Sequence, residues 1–322
     1  MLKNDNKFID DFNKKFEENI KKNSSCLIAV SGGVDSAVLF SLVLKLKNKL
    51  NLTLGIAHIN HNLRTNSKKD ADFVKKLASK NNIKFYLKDC TTPAKNNIEA
   101  WGRTERYSFL EQISKKEKYN WIITAHNASD EAETLLIKLF SNRDLNFISE
   151  VDYKRKLFRP LLTFFKNEIY EFAKTNKIKF IEDESNTSLK YLRNKYRNKI
   201  IPYLKKEIDE NIENIIFQQA LNIKRDQEYI SKKVENYMKE MDAIVVLSPK
   251  WLKYLQNIDK NEGNSISYRL IELSLLNIVG YKIGVRASNR VLALIKREIK
   301  GAQIPGGYCL KPKNSGLTLE KL

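Results

Sequence analysis

The chain of 322 residues carries 58 Lys plus Arg against 38 Asp plus Glu, so its formal net charge at pH 7 is +20. Hydrophobic residues make up 42%, which allows a sizeable core and excludes global disorder, while 11 Gly and 6 Pro exclude collagen-like and linker-like chains. The length predicts two or three domains. The basic excess favours a polyanionic partner, because Lys and Arg displace counterions from phosphates. A lysine-rich composition without any nucleic-acid role is the alternative.

The sequence predicts a cytoplasmic protein without a membrane span. Residues 1–16 contain no apolar run typical of a secretory signal, and no window approaches the roughly 18 uninterrupted apolar residues of a spanning helix. Cys26, Cys90 and Cys309 are far apart and odd in number, which argues against a disulfide framework and against a Cys-x-x-Cys metal site. Each is expected to be a small buried hydrophobe in a reducing compartment.

Strands and helices alternate along the first two thirds of the chain. The short apolar runs that predict buried strands lie at 26–30, 52–59, 83–87, 121–125, 157–162 and 178–181. The stretches with helical spacing lie at 7–22, 35–49, 69–81, 98–117, 129–141 and 166–175. This alternation is typical of β-α-β units, so we expect an α/β, Rossmann-like fold with a parallel sheet. Ligands should bind at the carboxyl ends of its strands.

The pattern changes after about residue 204. Residues 207–240 and 251–300 are mainly helical, and residues 304–319 predict a small β element or hairpin. We therefore expect an α/β domain over 1–204, followed over 205–322 by a mainly helical C-terminal region that ends in the small β element.

The most specific motif is a glycine loop between a predicted strand and a predicted helix: Ser31, Gly32, Gly33, Val34, Asp35 and Ser36. The glycines allow a tight turn, and the helix N-terminus directs N–H groups and its positive dipole end at the same point, which predicts a di- or triphosphate site. The loop is neither a Walker A sequence nor a dinucleotide Gly-x-Gly-x-x-Gly. Asp35 would repel phosphates unless a divalent cation bridges them, so Mg²⁺ is implied. An ordinary strand-to-helix turn with an Asp cap is the alternative.

This loop resembles the PP-loop of the N-type ATP pyrophosphatases, in which Ser-Gly-Gly-x-Asp-Ser follows the first strand. The resemblance implies ATP as a cofactor, cleaved to AMP and pyrophosphate while a substrate is adenylated. The superfamily includes GMP and NAD synthetases, argininosuccinate synthetase, tRNA thiolases and lysidine synthetases. The loop alone does not choose among them.

The end of the second predicted strand carries His58, His61 and Arg64, which should face the expected crevice. These side chains could contact a nucleotide or RNA. A metal site would need a third ligand, and none is near in sequence. The stretch resembles the His-x-x-His-x-Leu-Arg signature of the lysidine synthetases. That resemblance implies tRNA or cytidine binding for all three residues.

The segment that joins the fourth predicted strand to a helix contains His126, Asp130 and Glu133. The two acids are three residues apart on one face of the first turn, where simple N-terminal capping is the alternative to a binding role. The segment resembles the His-(His)-x-Asp-Asp-x-x-Glu-Thr motif of the same family. The resemblance implies that Asp130 and Glu133 bind the amine of free lysine and that His126 lies at the reaction centre.

The same helix is expected to pack an apolar face on the core. The residues with this spacing are Ala132, Leu135, Leu136, Leu139 and Phe140. The first turn departs from the family motif at three positions, Asn127, Ser129 and Glu131. Ser129 replaces the first Asp of the motif, which weakens any role assigned to that acid. Asp130 and Glu133 match the motif and keep their implied roles.

Arginine is scarce, with 13 Arg against 45 Lys, and its placement is informative because only Arg provides planar, bidentate recognition. Arg103 and Arg106 resemble the family's Arg-x-x-Arg-Tyr helix, and Arg159 lies in a Phe-Arg-Pro-Leu-Leu signature. Arg193 and Arg197 lie within 190–206, a stretch with seven basic residues, no acid and interleaved tyrosines. Such a face suits RNA backbone and base stacking, and a solvated charged helix is the alternative. The resemblance implies that all five arginines contact tRNA or its cytidine.

The motifs cover about residues 25–204 and resemble the lysidine synthetase family. The resemblance implies that ATP adenylates the C2 oxygen of the wobble cytidine in a CAU-anticodon tRNA(Ile). The ε-amine of free L-lysine then attacks C2, which makes the expected activity a carbon–nitrogen ligation. It also implies that residues 205–322 bind tRNA, and it leaves a homodimer open as the oligomeric state.

Three alternatives stay open on the residues alone. A tRNA 2-thiocytidine thiolase would need cysteines for an iron–sulfur cluster or a persulfide, and the sequence has no Cys-x-x-Cys pair. A glutamine-dependent amidating relative would need an amidotransferase or another ammonia source. A non-catalytic tRNA-binding protein would be favoured if the glycine loop had lost its Ser or Asp, and it has not.

Overall fold

The computed structural model describes residues 3–62, 67–90, 98–141, 147–182, 189, 192–242 and 244–322. The chain divides into two compact units, Met1–Ala220 and Leu221–Leu322. The sequence pattern changes near residue 205, whereas the division between the units falls within a long helix, α9 Ile212–Glu240. Each unit has its own hydrophobic core.

The first unit alternates helices with strands. Its helices are α1 Lys3–Asn19, α2 Val34–Leu46, α3 Ser67–Lys80, α4 Ile98–Lys116, α5 Ala128–Phe140, α6 Lys166–Thr175, α7 Leu192–Lys195 and α8 Ile201–Glu207, with a π-helical turn, Tyr196–Ile200, between the last two. Its strands are β1 Ser25–Ala29, β2 Thr53–Asn60, β3 Lys84–Asp89, β4 Trp121–Ile123, β5 Val151–Asp152 and β6 Leu157–Phe158.

The six strands form one sheet in the order β3-β2-β1-β4-β6-β5. Neighbouring strands are parallel except for β5 and β6, which are antiparallel. The chain winds from β1 outward to β3 and then returns to β4 on the other side of β1, so the winding direction reverses between β1 and β4. Ligands of open α/β sheets bind in the crevice at such a reversal. The predicted Rossmann-like α/β fold is confirmed.

The central strands are apolar on both faces because helices cover them on both sides. Leu27, Ile28 and Ile56 are fully buried. The amphipathic N-terminal helix α1 buries Phe12 and Phe16 in the core, as its spacing predicts. The loop that follows β1 therefore starts from a strand held firmly in the middle of the sheet.

Two predicted strands differ from the structure. The run at 157–162 forms a strand only over Leu157–Phe158, because the chain turns at Pro160, which has no N–H group for a ladder. The strand predicted at 178–181 is wrong. There the backbone N–H of Ile181 donates to the carbonyl oxygen of Gly32 over 2.9 Å, so the segment closes against the glycine loop instead of joining the sheet.

The second unit is helical and ends in a small antiparallel sheet, which confirms the prediction. Beyond α9 it contains α10 Pro249–Glu262, α11 Asn264–Val279, α12 Gly284–Ile295, β7 Ala302–Ile304, β8 Tyr308–Lys313 and β9 Gly316–Lys321. Trp251 is fully buried in its core and its Nε1 donates to Ser274 Oγ over 3.4 Å. In the part of the chain that the structure describes, no helix is both long and apolar enough to cross a bilayer.

Candidate functional site

The candidate site lies where β1, β2 and β4 end. These three strands are parallel neighbours, so the segments that follow them emerge at the same edge of the sheet. The segments are the glycine loop 31–36, residues 58–61 and residues 124–134. The fold thus brings three of the motifs found in the sequence to one place.

Hydrogen bonds within the glycine loop hold its shape. The Ser36 hydroxyl donates to the Gly33 carbonyl over 2.9 Å and accepts from the Ser31 N–H over 3.2 Å. Gly32 has a φ of +96°, which residues with a side chain rarely adopt, and a Cβ on it would lie 3.0 Å from Ile181 Cδ1. The first-turn N–H groups of α2, which have no partner within the helix, begin directly after this turn. The loop is therefore shaped to bind an anion.

Asp35 lies in the first turn of α2, and its Oδ1 is buried without a hydrogen-bond partner. Burial raises the pKa of Asp35 to about 6; Lys166 and Arg197 oppose this rise, and Asp130 and Glu133 add to it. An orphaned carboxylate oxygen beside a phosphate loop fits one ligand of Mg²⁺. No cluster of three His, Cys, Asp or Glu side chains occurs among the described residues, so phosphate and water oxygens would have to complete the coordination.

His58 is buried, and its Nδ1 shares a 2.8 Å hydrogen bond with the carbonyl oxygen of Val30, the residue before the loop. Burial lowers the pKa of His58, so the ring is neutral near pH 7. This position supports the entry to the glycine loop, and the predicted contact of His58 with tRNA or cytidine stays a prediction. Arg64 lies outside the described residues.

His61 packs on α4. Its ring lies edge-on to Trp101, with 5.7 Å between the ring centroids, and its Cε1 would be 3.5 Å from a Cβ on Gly102. Burial, assisted by nearby Arg106, lowers the pKa of His61 to about 4, and its Nδ1 is buried without a partner. A neutral imidazole with an unused ring nitrogen can hydrogen-bond a nucleobase, although it brings no charge to a phosphate.

Arg103 and Arg106 lie three residues apart on α4 in different surroundings. Arg103 is exposed, and its guanidinium carbon lies 4.9 Å from the centroid of the Tyr107 ring. Arg106 makes no hydrogen bond or ion pair with any other described residue, and burial lowers its pKa. Arg106 is close enough to His126 and Asp130 to affect both electrostatically, so it presents a cation at the centre of the site.

Arg159 is only 4% exposed. Its Nη1 donates to the carbonyl oxygen of Ser149 over 2.5 Å, and its Nη2 donates to the Tyr107 hydroxyl over 3.3 Å. These contacts join the end of β6 to α4. Arg159 therefore has a structural role, and its Nε is buried without a hydrogen-bond partner. The predicted contact with tRNA or its cytidine stays a prediction.

The segment after β4 begins α5 with a reciprocal cap. Asn127 Oδ1 accepts from the Asp130 N–H over 3.0 Å, and Asp130 Oδ2 accepts from the Asn127 N–H over 3.1 Å. The capping that the sequence allows is present, and it leaves Asp130 Oδ1 for other partners. The hydroxyl of Thr124 lies 3.0 Å from Nδ1 of His126, and burial lowers the pKa of that histidine. The His126 imidazole is therefore neutral at pH 7.

Asp130 and Glu133 pair with two arginines from further along the chain. Arg193 donates to Glu133 Oε2 over 2.7 Å and to Asp130 Oδ1 over 2.9 Å. Arg197 donates to Glu133 Oε1 and Oε2 over 2.6 and 3.0 Å and to Asp130 Oδ1 over 3.2 Å. Burial alone would raise the pKa of Asp130, but Arg193, His126 and Arg197 outweigh it and lower that pKa. The predicted lysine-binding acids and two predicted tRNA-binding arginines thus form one cluster.

Lys166, the first residue of α6, was not found from the sequence. Its backbone N–H donates to Ser129 Oγ over 3.1 Å, and its charge opposes the rise in the pKa of Asp35 that burial causes. One Lys among many carries little information. Its position in the first turn of a helix could have indicated a role. A cation there is unfavourable next to the positive end of the helix dipole unless an anion lies nearby.

The C-terminal end of α5 is exposed, so the predicted core face is wrong there. Leu139 is 53% exposed and Phe140 76% exposed, whereas the three earlier positions of that face are buried. The Phe140 ring lies nearly parallel to that of Tyr196 in the π-helical turn, with 6.4 Å between centroids and 27° between planes. The exposed Phe140 and the half-buried Tyr196 thus form an aromatic pair at the basic stretch.

Comparison with known sequences reveals clear similarity. The family model described as a PP-loop domain matches residues 4–204. The chain is 37% identical over 224 residues to a tRNA(Ile)-lysidine synthase of Nostoc sp. strain PCC 7120, and 33% identical over 279 residues to one of Buchnera aphidicola. The alignments cover 68% and 83% of this chain but 65% and 61% of those proteins. The chain therefore spans less than two thirds of the length of these relatives.

A solved structure with a similar fold is the U34-tRNA thiolase of Methanococcus maripaludis, determined with its 4Fe–4S cluster. Its TM-score is 0.59 at 17% sequence identity, over 68% of this chain and 78% of that chain. The likeness concerns the fold alone. In the present chain Cys26, Cys90 and Cys309 are buried and free, and burial raises the pKa of Cys26 to about 12.

The substitution Gly32→Ala should abolish nucleotide binding and destabilise the fold by about 1–3 kcal/mol. The φ of +96° strains any residue with a side chain, and the added Cβ would press on Ile181. Calorimetric titration with ATP and urea unfolding measure the two effects. The matched control is Gly263→Ala, because Gly263 has a φ of +78° but nothing within 4 Å of its Cβ position. The control should lose stability and keep ATP binding, and normal ATP binding by Gly32→Ala would contradict the role of the loop.

Proposed function

This chain belongs to the PP-loop domain family, and we propose that it is an ATP-dependent ligase that joins free L-lysine to the wobble cytidine of a CAU-anticodon tRNA(Ile). The products are lysidine, AMP and pyrophosphate. One feature carries the proposal, namely the half-buried Asp130 and the buried Glu133 within electrostatic range of Asp35 in the glycine loop. The two lysidine synthases that align with most of the chain support this choice within the family.

ATP binds, in this proposal, with its phosphates over the loop between β1 and α2. Donors for the phosphate oxygens are the hydroxyls of Ser31 and Ser36 and the first N–H groups of α2, and Lys166 adds a positive charge near Asp35. Mg²⁺ held by Asp35 would neutralise charge on the departing pyrophosphate. The protein donors are fixed by internal hydrogen bonds before the reaction, so little reorganisation is needed when charge develops.

The cytidine binds between the glycine loop and α4. Arg106, without an ion-pair partner among the described residues, suits the C2 oxygen and the phosphate joined to it during adenylation. His61 offers a ring nitrogen and Trp101 an aromatic surface to the base. The base must leave its stack, which costs about a few kcal/mol and costs least in a single-stranded loop.

Lysine binds through its cationic amine to Asp130 and Glu133. Two carboxylates largely withdrawn from water stabilise a cation and orient it, which converts the attack on C2 into an effectively intramolecular step. The attacking ammonium must lose a proton, and the neutral imidazole of His126 lies within electrostatic range of Asp130. Burial makes this ring a weak base, so we place His126 at the reaction centre as a neutral hydrogen-bond partner that orients the amine for its attack.

The outer surface of the site suits RNA. Arg103 lies exposed on α4, and the aromatic pair of Phe140 and Tyr196 lies beside the basic stretch 192–206. Cations combined with exposed aromatic rings are typical of surfaces that bind single-stranded nucleic acid. The net charge of +20 agrees with a polyanionic partner. We extend the proposal to residues 205–322 as a second tRNA-binding region and to the cytoplasm as the location.

The test supplies ATP, radiolabelled L-lysine and unmodified tRNA(Ile) transcript to the purified protein. Label should enter the tRNA only when ATP is present, and replacing the wobble cytidine by uridine should abolish incorporation. A methionine tRNA transcript with the same anticodon is the specificity control. Folded protein that binds ATP and incorporates no lysine would overturn the proposed reaction.

The substitution Glu133→Gln should lower lysine incorporation on the order of 100-fold or more, because an amide does not neutralise a buried cation. Nucleotide binding should persist, since Glu133 makes no contact with the glycine loop. Steady-state incorporation at varied lysine concentration measures the effect. Glu171→Gln removes an acid from α6 whose side chain is 70% exposed and serves as the matched control. Equal activity of both variants would argue against the acid pair as the lysine site.

The substitution Phe140→Ala should weaken tRNA binding by about 5- to 100-fold, the range expected for the loss of one stacked base. The dependence of affinity on salt should stay unchanged, because stacking displaces no counterions from phosphate. Filter binding at several salt concentrations measures both quantities. Tyr153→Ala is the control, since Tyr153 is also 76% exposed but lies at the β5–β6 turn. A similar loss in both variants would refute a specific aromatic contact.

A further inference from the structure

The acid pair that we propose for lysine is already fully engaged. Both carboxylate oxygens of Glu133 accept from arginine, at 2.6 to 3.0 Å, and Asp130 Oδ1 accepts from two arginines at 2.9 and 3.2 Å. The remaining oxygen, Asp130 Oδ2, accepts from the backbone N–H of Asn127 over 3.1 Å. Each of the four oxygens has a donor. An ammonium group can therefore reach a full set of carboxylate contacts only by displacing arginine.

The cluster is balanced in charge, with two carboxylates against the guanidinium groups of Arg193 and Arg197. A balanced cluster exerts little net attraction on a further cation. The side chain of Glu133 is 1% exposed, whereas those of Arg193 and Arg197 are 32% and 20% exposed. The acids thus form the inner side of the cluster and the arginines its solvent side. Moving the arginines away would uncover the acids from outside.

Both arginines lie in the first part, 192–200, of a continuous helical run that extends to Glu207 and has its first buried residue at Ile201. Arg193 lies in the four-residue helix α7, and Arg197 lies in the π-helical turn Tyr196–Ile200. Neither element contains a buried residue. Segments with little buried surface open at low free-energy cost, and π-helical turns are frequent at functional sites. Contacts such as these ion pairs, rather than core packing, therefore hold the segment in its present position.

We propose that Arg193 and Arg197 act as a latch that keeps lysine from the acid pair until RNA binds. RNA phosphates offer guanidinium groups the same bidentate geometry that carboxylates do. On binding, the arginines exchange the carboxylates for phosphates, and the amine of lysine takes their place at Asp130 and Glu133. Each charged group keeps a partner, which avoids the cost of an unpaired buried charge. The latch rests on the proposed function and makes lysine binding depend on RNA.

Calorimetric titration of the wild-type protein with L-lysine, without ATP, tests the latch directly. Lysine should bind at least about tenfold more tightly in the presence of saturating unmodified tRNA(Ile) transcript, because apparent affinity scales with the fraction of open protein. Norleucine, which lacks the side-chain amine, is the ligand control and should bind in neither case. Equal lysine affinity with and without RNA would overturn the latch.

The variant Arg197→Met leaves the cluster with one uncompensated negative charge. Its lysine affinity without RNA should rise toward that of the wild type with RNA, and Arg197→Lys should give an intermediate value. Lys199→Met is the matched control, because Lys199 lies exposed in the same π-helical turn and makes no ion pair with the acids. Unchanged lysine affinity of folded Arg197→Met would overturn the latch. If that variant does not fold, the titration of the wild-type protein with and without RNA decides the question.

The incorporation assay separates the latch from the reaction. Lysine incorporation combined with RNA-independent lysine binding would refute the latch and leave the proposed function standing. Absence of incorporation, together with absence of lysine binding in every titration, would refute both. RNA-dependent lysine binding with incorporation is the result that the latch requires.

Discussion

A carboxylate buried at the edge of the sheet must find a donor or a cation, and the site is organised by this requirement. Glu133 is 1% exposed and cannot rely on water, so two guanidinium groups supply its charge partners. Asp130 meets the same requirement twice, since one oxygen caps α5 and the other joins the arginine cluster. Asp35 meets it differently. Its Oδ1 has no hydrogen-bond partner and burial raises its pKa to about 6, so under the proposed function a bound Mg²⁺ would be the cation that satisfies it.

The sheet explains why these acids influence one another at all. Asp35 follows β1 and Asp130 follows β4, and the parallel pairing of those strands brings the two within electrostatic range. Buried polar residues then hold the strand ends, as His58 does through the Val30 carbonyl and Arg159 through Tyr107. The donors toward ATP thus come from a rigid frame. The arginines come from residues 192–200, none of which is buried. In the proposed latch, these residues move while the frame that carries the donors stays fixed.

The glycine loop and the alternation of strands and helices could be predicted from the sequence, because these depend on local spacing and on glycine. The arginine cluster could not be predicted. Arg193 and Glu133 are 60 residues apart, and each alone is compatible with a different ligand. The burial of Arg159 could not be predicted either, because a sequence motif indicates an arginine without indicating whether its guanidinium contacts RNA or a protein carbonyl. The helical spacing of α5 predicts the helix correctly, but it does not show where the core ends. Leu139 and Phe140 lie beyond the core and are exposed.

The departure at Ser129 is consistent with the same charge balance. Ser129 is 4% exposed, and its hydroxyl accepts the N–H of Lys166, a hydrogen bond that an aspartate at this position could also accept. Serine therefore keeps the link between the starts of α5 and α6 and removes one negative charge beside Asp130. With a third acid, two arginines would leave the cluster short of a cation, and a buried carboxylate would need another partner. With serine, the two acids and two arginines balance, and the charge of Lys166 acts on Asp35, where the proposed function places the phosphates of ATP.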